Sequence, residues 1–319
     1  MDVISLSDLR SGSTAKIAPA LGFNCFDFQA RVGDETVSVI DASRHFADGH
    51  DKPSGHGIPL LFPFPNRIRD GRFSWNGKHY EIPSSNASFN ANNAIHGFCL
   101  DRPWRIHSQG TDFATGVFQL SRDAPDRLGY WPADFRIEVR YSVHGAALRA
   151  DITITNPSTD PLPWGFGTHP YFKLPLSSKS RSSRCVILAP ASQEWELVDC
   201  LPTGRRVPVS EEKDLREGAY FDVLKLDDVL TGLPTEPIVE CGIMDEQAGL
   251  QVTQKFPGVF RELVVYTPHN RDAICLEPYT CVTDAVNLAG RDVDTGWRVL
   301  EPGAEFRTWI EIEAGEVIA

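Results

Sequence analysis

The chain has 319 residues, of which 41% are apolar and 23% charged, ordinary proportions for a soluble globular protein. Its net charge of −12 argues against nucleic acid and anionic membranes as partners, because neither gains from an acidic surface. Seven cysteines without C-x-x-C spacing fit neither a disulfide framework nor a zinc ribbon, and they predict reduced thiols in a cytoplasmic protein.

The first ten residues lack a charged segment leading into an apolar one, so no signal peptide is expected. No apolar run is long enough to span a bilayer. Near-alternation of apolar and polar residues then recurs along the chain. Residues 23–30 and 35–41 read as strands, and Asn76-Gly77 between two aromatic-rich runs is a hairpin signal. Residues 115–121, 135–143 and 147–155 alternate, with His144-Gly145 turning the chain between the last two. Further strands are predicted at 184–188, 249–254, 262–266, 273–277 and 305–313. Short turns of helix fit at 124–130 and 211–217, but no amphipathic stretch of twelve or more stands out. The predicted class is all-β, a large antiparallel β-sandwich in one domain over 1–319, with a groove across one face.

Several segments hold candidate chemistry. Three prolines, Pro59, Pro63 and Pro65, keep the chain extended before Asn66 and Arg67. Arg67 offers a planar fork of donors suited to hydroxyl and carboxylate oxygens, although most arginines are merely exposed. His96 precedes Gly97 and Phe98. An imidazole beside an aromatic suits a sugar, which shows polar edges and an apolar C–H face; a structural histidine is the alternative. His169 lies in Gly165-Phe166-Gly167-Thr168-His169-Pro170-Tyr171-Phe172, where two glycines are expected to free the backbone and a proline to fix it. Asp227 and Asp228 are adjacent, so in a strand only one can face a groove. Glu277 is read as ending an apolar strand before Pro278, an unusual place for a carboxylate without a partner or a function. No short-spaced His or Cys pair suggests a metal, and none is expected.

Asn66-Arg67-Ile68 with Gly71-Arg72-Phe73, then His96-Gly97-Phe98, His169-Pro170-Tyr171-Phe172, and Glu277 with Asp284-Ala285-Val286-Asn287 occur in an order that resembles the aldose 1-epimerases, the galactose mutarotases. Leu300-Glu301-Pro302-Gly303 is similar to the end of that family. The resemblance runs from about Gly22 to Ile312. It implies a galactose mutarotase-like supersandwich that interconverts the α and β anomers of a free hexose of the glucose or galactose type. By position, His169 matches the general acid and Glu277 the general base. Arg67, His96 and Asp227 match sugar-binding positions, with Asp228 as the alternative to Asp227, and Asn66 beside Arg67 is a further expected sugar-binding residue. The chain departs from the family pattern at Thr283 and around Trp164 to Gly167. The resemblance implies no cofactor, a small-molecule sugar as partner, and a monomer or homodimer. Two rival readings are a hexose-6-phosphate 1-epimerase, with Arg69, Arg72 or the basic residues of 179–184 serving the phosphate, and a non-catalytic carbohydrate-binding module. A third, a glycoside hydrolase, would need a second carboxylate beside Glu277.

Overall fold

A computed structural model describes residues 2–85, 88–269 and 272–317. The clearest period-two segments form the centre of the molecule. Arg136–His144 and Ala147–Thr155 pair antiparallel along their whole length, and buried and half-buried residues alternate along both. Gly145, at φ 60°, closes the turn between them. These strands sit within a nine-stranded sheet whose order is Arg105–Gln109, Phe113–Gln119, Arg136–His144, Ala147–Thr155, Glu305–Glu316, Leu250–Pro257, Ile238–Asp245, Cys185–Leu188 and Ala219–Tyr220.

A second, eight-stranded sheet carries the candidate residues. It runs Leu201–Pro208, Gln193–Val198, Asp227–Thr231, Glu262–Tyr266, Ala273–Tyr279, Gly167–Thr168 and Leu60–Leu61, with Tyr171–Lys173 also paired to Ala273–Tyr279. One face of this sheet, with Leu230, Leu263, Val265, Ile274 and Leu276, joins Ile137, Ile152 and Ile310 of the nine-stranded sheet in a single core. Each such side chain stabilises the sandwich by about 1.5–3 kcal/mol on burial. The Gln254 side chain crosses between the sheets and donates to the Leu276 carbonyl at 2.9 Å. The opposite face, with Trp195, Val229, Val264 and Tyr279, forms a separate cluster beneath a groove. The architecture is thus the all-β supersandwich that the alternation and the resemblance predict.

The elements differ from expectation in instructive places. Residues 115–121 do not stay extended: the strand ends at Gln119 and Leu120–Asp123 turns helical. The carboxylates of Asp123 and Asp134 accept from the backbone N–H groups of Gln119 and Ser121, at 2.7 and 2.9 Å, and stabilise that turn. Leu201–Pro208 is a strand despite its prolines because it lies at the sheet edge, where missing N–H donors cost little. The Glu277 strand does not stop at Glu277 but continues through Pro278 to Tyr279, with Pro278 paired to Leu263. Ala285–Ala289 is a helix too short to register as periodicity. Among the described residues no helix is long and apolar enough to cross a membrane.

Candidate active site

Alternation along Ala273–Tyr279 sends Ile274 and Leu276 into the core and turns Cys275, Glu277 and Tyr279 to the other face. Glu277 is only 2% exposed. Its Oε1 lies 3.3 Å from Nε2 of His169. Its Oε2 accepts a hydrogen bond from the Tyr279 hydroxyl. Burial drives the Glu277 carboxyl well above the ordinary carboxylate range; Asp227 adds to this, while the Tyr279 hydrogen bond and the Arg67 charge oppose it.

His169 is held by its neighbours in sequence and space. Its backbone N–H donates to the Pro59 carbonyl at 3.1 Å. Its ring stacks on Tyr171, with centroids 4.7 Å apart and planes within 11°. The Tyr171 hydroxyl is in turn anchored to the Ser54 carbonyl at 3.0 Å. The two glycines ahead of His169 do a different job from the one expected. Neither Gly165 nor Gly167 has a positive φ. They supply space instead: a Cβ on Gly165 would lie 2.3 Å from Sγ of Cys281, and one on Gly167 2.2 Å from Cδ1 of Tyr279.

The two other expected segments are tied together. Asn66 takes a left-handed conformation, φ 55°, and its carbonyl accepts from the His96 backbone N–H at 2.9 Å. Its side-chain Oδ1 accepts from Nη1 of Arg67 at 2.9 Å, so Asn66 holds the guanidinium that faces the cavity. His96 is itself at φ 66°. The Gly97 that follows must be glycine, because a Cβ there would lie 2.1 Å from the Phe62 carbonyl oxygen. The His96 and His169 rings meet edge to face at 5.5 Å. Burial, reinforced by His169 and Arg67, holds the His96 imidazole well below its ordinary range, so it is neutral at pH 7.

Asn66, Arg67, His96, His169, Asp227 and Glu277 all line one cavity of about 660 Å³, together with Lys52, Tyr171 and Tyr266. That size accommodates a small polar ligand. The strand's alternation turns the paired aspartates to opposite sides. Asp227 faces the cavity, whereas Asp228 pairs with Lys213 at 2.9 Å, alongside Glu194 at 2.6 Å. The residues offered for a phosphate lie elsewhere. Arg69, Arg72, Lys179 and Arg184 pair with Asp284, Glu81, Glu35 and Glu246, and none of the four is among the cavity's lining residues.

Lys52, Tyr266 and Tyr279 were not expected at the site. Tyrosines in apolar runs read as core, and nothing in the local pattern marks Lys52. The fold also gathers donors that spacing alone does not bring together: His169, Cys275 and Glu277 each present one ligand atom, all within 4.8 Å of one another. Within this trio, Nε2 of His169 and Oε1 of Glu277 are already in contact with each other.

The sequence model of the aldose 1-epimerase family matches residues 27–313. YihR of Escherichia coli (strain K12) is 28% identical over 265 residues, which span 82% of this chain and 80% of YihR. A galactose mutarotase-like protein from Clostridium acetobutylicum superposes with a TM-score of 0.85 at 20% identity, covering 99% of both chains. The GalM/aldose epimerase homologue from C. elegans gives a TM-score of 0.80 at 18% identity, also over 99% of each chain. These two likenesses establish a shared fold.

Proposed function

The chain belongs to the aldose 1-epimerase family, and we propose that it interconverts the α and β anomers of a free aldohexose by acid–base ring opening and closure. The observation that carries this reading is the contact of His169 Nε2 with Glu277 Oε1 at the floor of a polar cavity. Anomerisation needs one proton removed and one donated at two oxygens of the same carbon. A buried acid–base pair in contact is suited to that task.

In this reading Glu277, ionised, takes the proton of the C1 hydroxyl, while His169, protonated, donates to the ring oxygen. The C1–O5 bond breaks and the aldehyde forms. Rotation about C1–C2 presents the other carbonyl face. The ring then closes with the roles reversed: His169 accepts the proton of the C5 hydroxyl and Glu277 returns one to the new C1 oxygen. The pair carries one proton throughout, so the catalyst ends as it began. Each partner supplies about 10²–10⁴-fold. Arg67 and Asp227 grip sugar hydroxyls from the cavity wall, and neutral His96 can serve one hydroxyl as donor or acceptor. The aromatic rings of Tyr171 and Tyr266 flank His169 and exclude water from it.

The free sugar is favoured over its 6-phosphate because Arg69, Arg72, Lys179 and Arg184 are each ion-paired, and neither they nor Arg181 are among the cavity's lining residues. The test is exchange between the anomeric-proton resonances of glucose, galactose and glucose 6-phosphate at equilibrium, with and without protein. Enhanced exchange for a free hexose supports the reading; enhancement for the phosphate alone would replace it with the phosphorylated substrate.

A further inference from the structure

Glu277 has two oxygens, and the structure gives them different neighbours. Oε1 faces His169, and Oε2 accepts from the Tyr279 hydroxyl. Residues 277 and 279 are two apart on one strand, so their side chains rise from the same face of the sheet. Tyr279 is fully buried. Its backbone is locked on both sides, paired with Gly167 on one flank and with Glu262 on the other. Its ring occupies the space that a Cβ on Gly167 would fill. The hydroxyl therefore has little freedom to leave the carboxylate.

We propose that Tyr279 is a positioning residue for the acid–base pair: its hydroxyl fixes the Glu277 carboxylate with Oε1 toward the substrate and stabilises the ionised form that must act as base. The inference rests on the reading of Glu277 as the proton acceptor.

Its physical basis is the conflict at Glu277. A carboxylate this deeply buried resists ionisation. The groups that face it are His169, Arg67, Asp227, Cys275 and Tyr279. Asp227 opposes ionisation, and Arg67 assists it from the cavity wall. Tyr279 is the neighbour hydrogen-bonded to Oε2, and a hydroxyl donating to a charged oxygen binds it more strongly than a neutral one. Burial and the nearby Glu277 charge hold the Tyr279 phenol well above its ordinary range, so it remains a donor at every working pH.

The experiment is Tyr279→Phe, measured against Glu277→Gln and the double variant. The expected result is a fall in kcat of about 10–100-fold with KM within about twofold, and an acid-side midpoint of the kcat/KM profile that moves up by about one to two pH units. The double variant should turn over no more slowly than Glu277→Gln alone, because Tyr279 acts through that carboxylate. An unmoved midpoint, or a further multiplicative loss in the double variant, overturns the proposal. A pH titration of the Glu277 carboxyl by infrared difference, identified by its loss in Glu277→Gln, gives a readout without any sugar. A midpoint raised by Tyr279→Phe in a protein that turns over no sugar upholds the hold of Tyr279 on Glu277 and counts against the epimerase reading. A midpoint left in place by Tyr279→Phe overturns the inference whatever the activity.

Discussion

Nε2 of His169 and Oε1 of Glu277 stand 3.3 Å apart, brought together from a loop and a strand 108 positions distant in the chain. A base and an acid at that separation can reach two oxygens on one carbon without moving the backbone. The pair is nearly enclosed, which in the proposed reaction would direct its proton to a bound sugar rather than to bulk water.

Glu277→Gln keeps the shape and one hydrogen-bond acceptor but cannot take a proton. The expected outcome is a loss of about 10²–10⁴-fold in kcat with sugar affinity largely kept. Polarimetric rates beside calorimetric titration of the sugar check this. Turnover near that of the unmodified protein would remove Glu277 from its assigned role.

Asp227 and Asp228 are neighbours with different surroundings. On the proposed reading Asp227→Asn weakens a charged grip on sugar hydroxyls and should lower kcat/KM by about 10–100-fold. Asp228→Asn frees Lys213 from one of its two carboxylate partners and should change stability by less than about 1 kcal/mol. Its kcat/KM should stay within about twofold. Equal kinetic losses in the two variants would contradict the assignment.

Much of this arrangement is readable before any coordinates. The unbroken alternation of residues 135–143 and 147–155 corresponds to paired strands with alternating burial. Period two also requires that only one of Asp227 and Asp228 face the groove, though not which one. The Glu277 strand is a different case. It is buried on both faces, so no alternation marks which residues look toward the cavity. Tyr279 is invisible for the same reason: an aromatic in a buried strand reads as packing. The glycines before His169 show that a residue's presence can be informative while its purpose is not. Gly165 and Gly167 make room for Cys281 and Tyr279, side chains more than a hundred positions away.

That close approach gives a stability prediction. Gly167→Ala places a Cβ against the Tyr279 ring, which is hemmed in by strands on both sides. The expected cost is about 1–3 kcal/mol, with a loss of activity as Tyr279 shifts beneath Glu277. Chemical denaturation and initial rates measure the two effects. A variant as stable and active as its parent would show that the ring can give way freely.

A second buried carboxyl shapes the pH dependence of stability. Burial pushes Glu262 up from its ordinary 4.5 to about 7, against the opposing hydrogen bonds of Trp195 and Thr231. Because the folded value is the higher, the folded protein keeps a proton that the unfolded chain releases. The stabilisation is complete below pH 4.5 and is lost as pH rises through about 7. Across that window the change amounts to about 3 kcal/mol. Glu262→Gln can still accept from Trp195 and carries no titrating group. Its Tm should fall less between pH 5 and pH 8 than that of the unmodified protein. Parallel Tm curves would contradict this.

The central claim is tested most directly by polarimetry of freshly dissolved α-D-glucose and α-D-galactose, with the protein, without it, and with His169→Ala. The account predicts a faster approach to the same final rotation for at least one sugar, and loss of that acceleration in the variant. No acceleration with either sugar would contradict it.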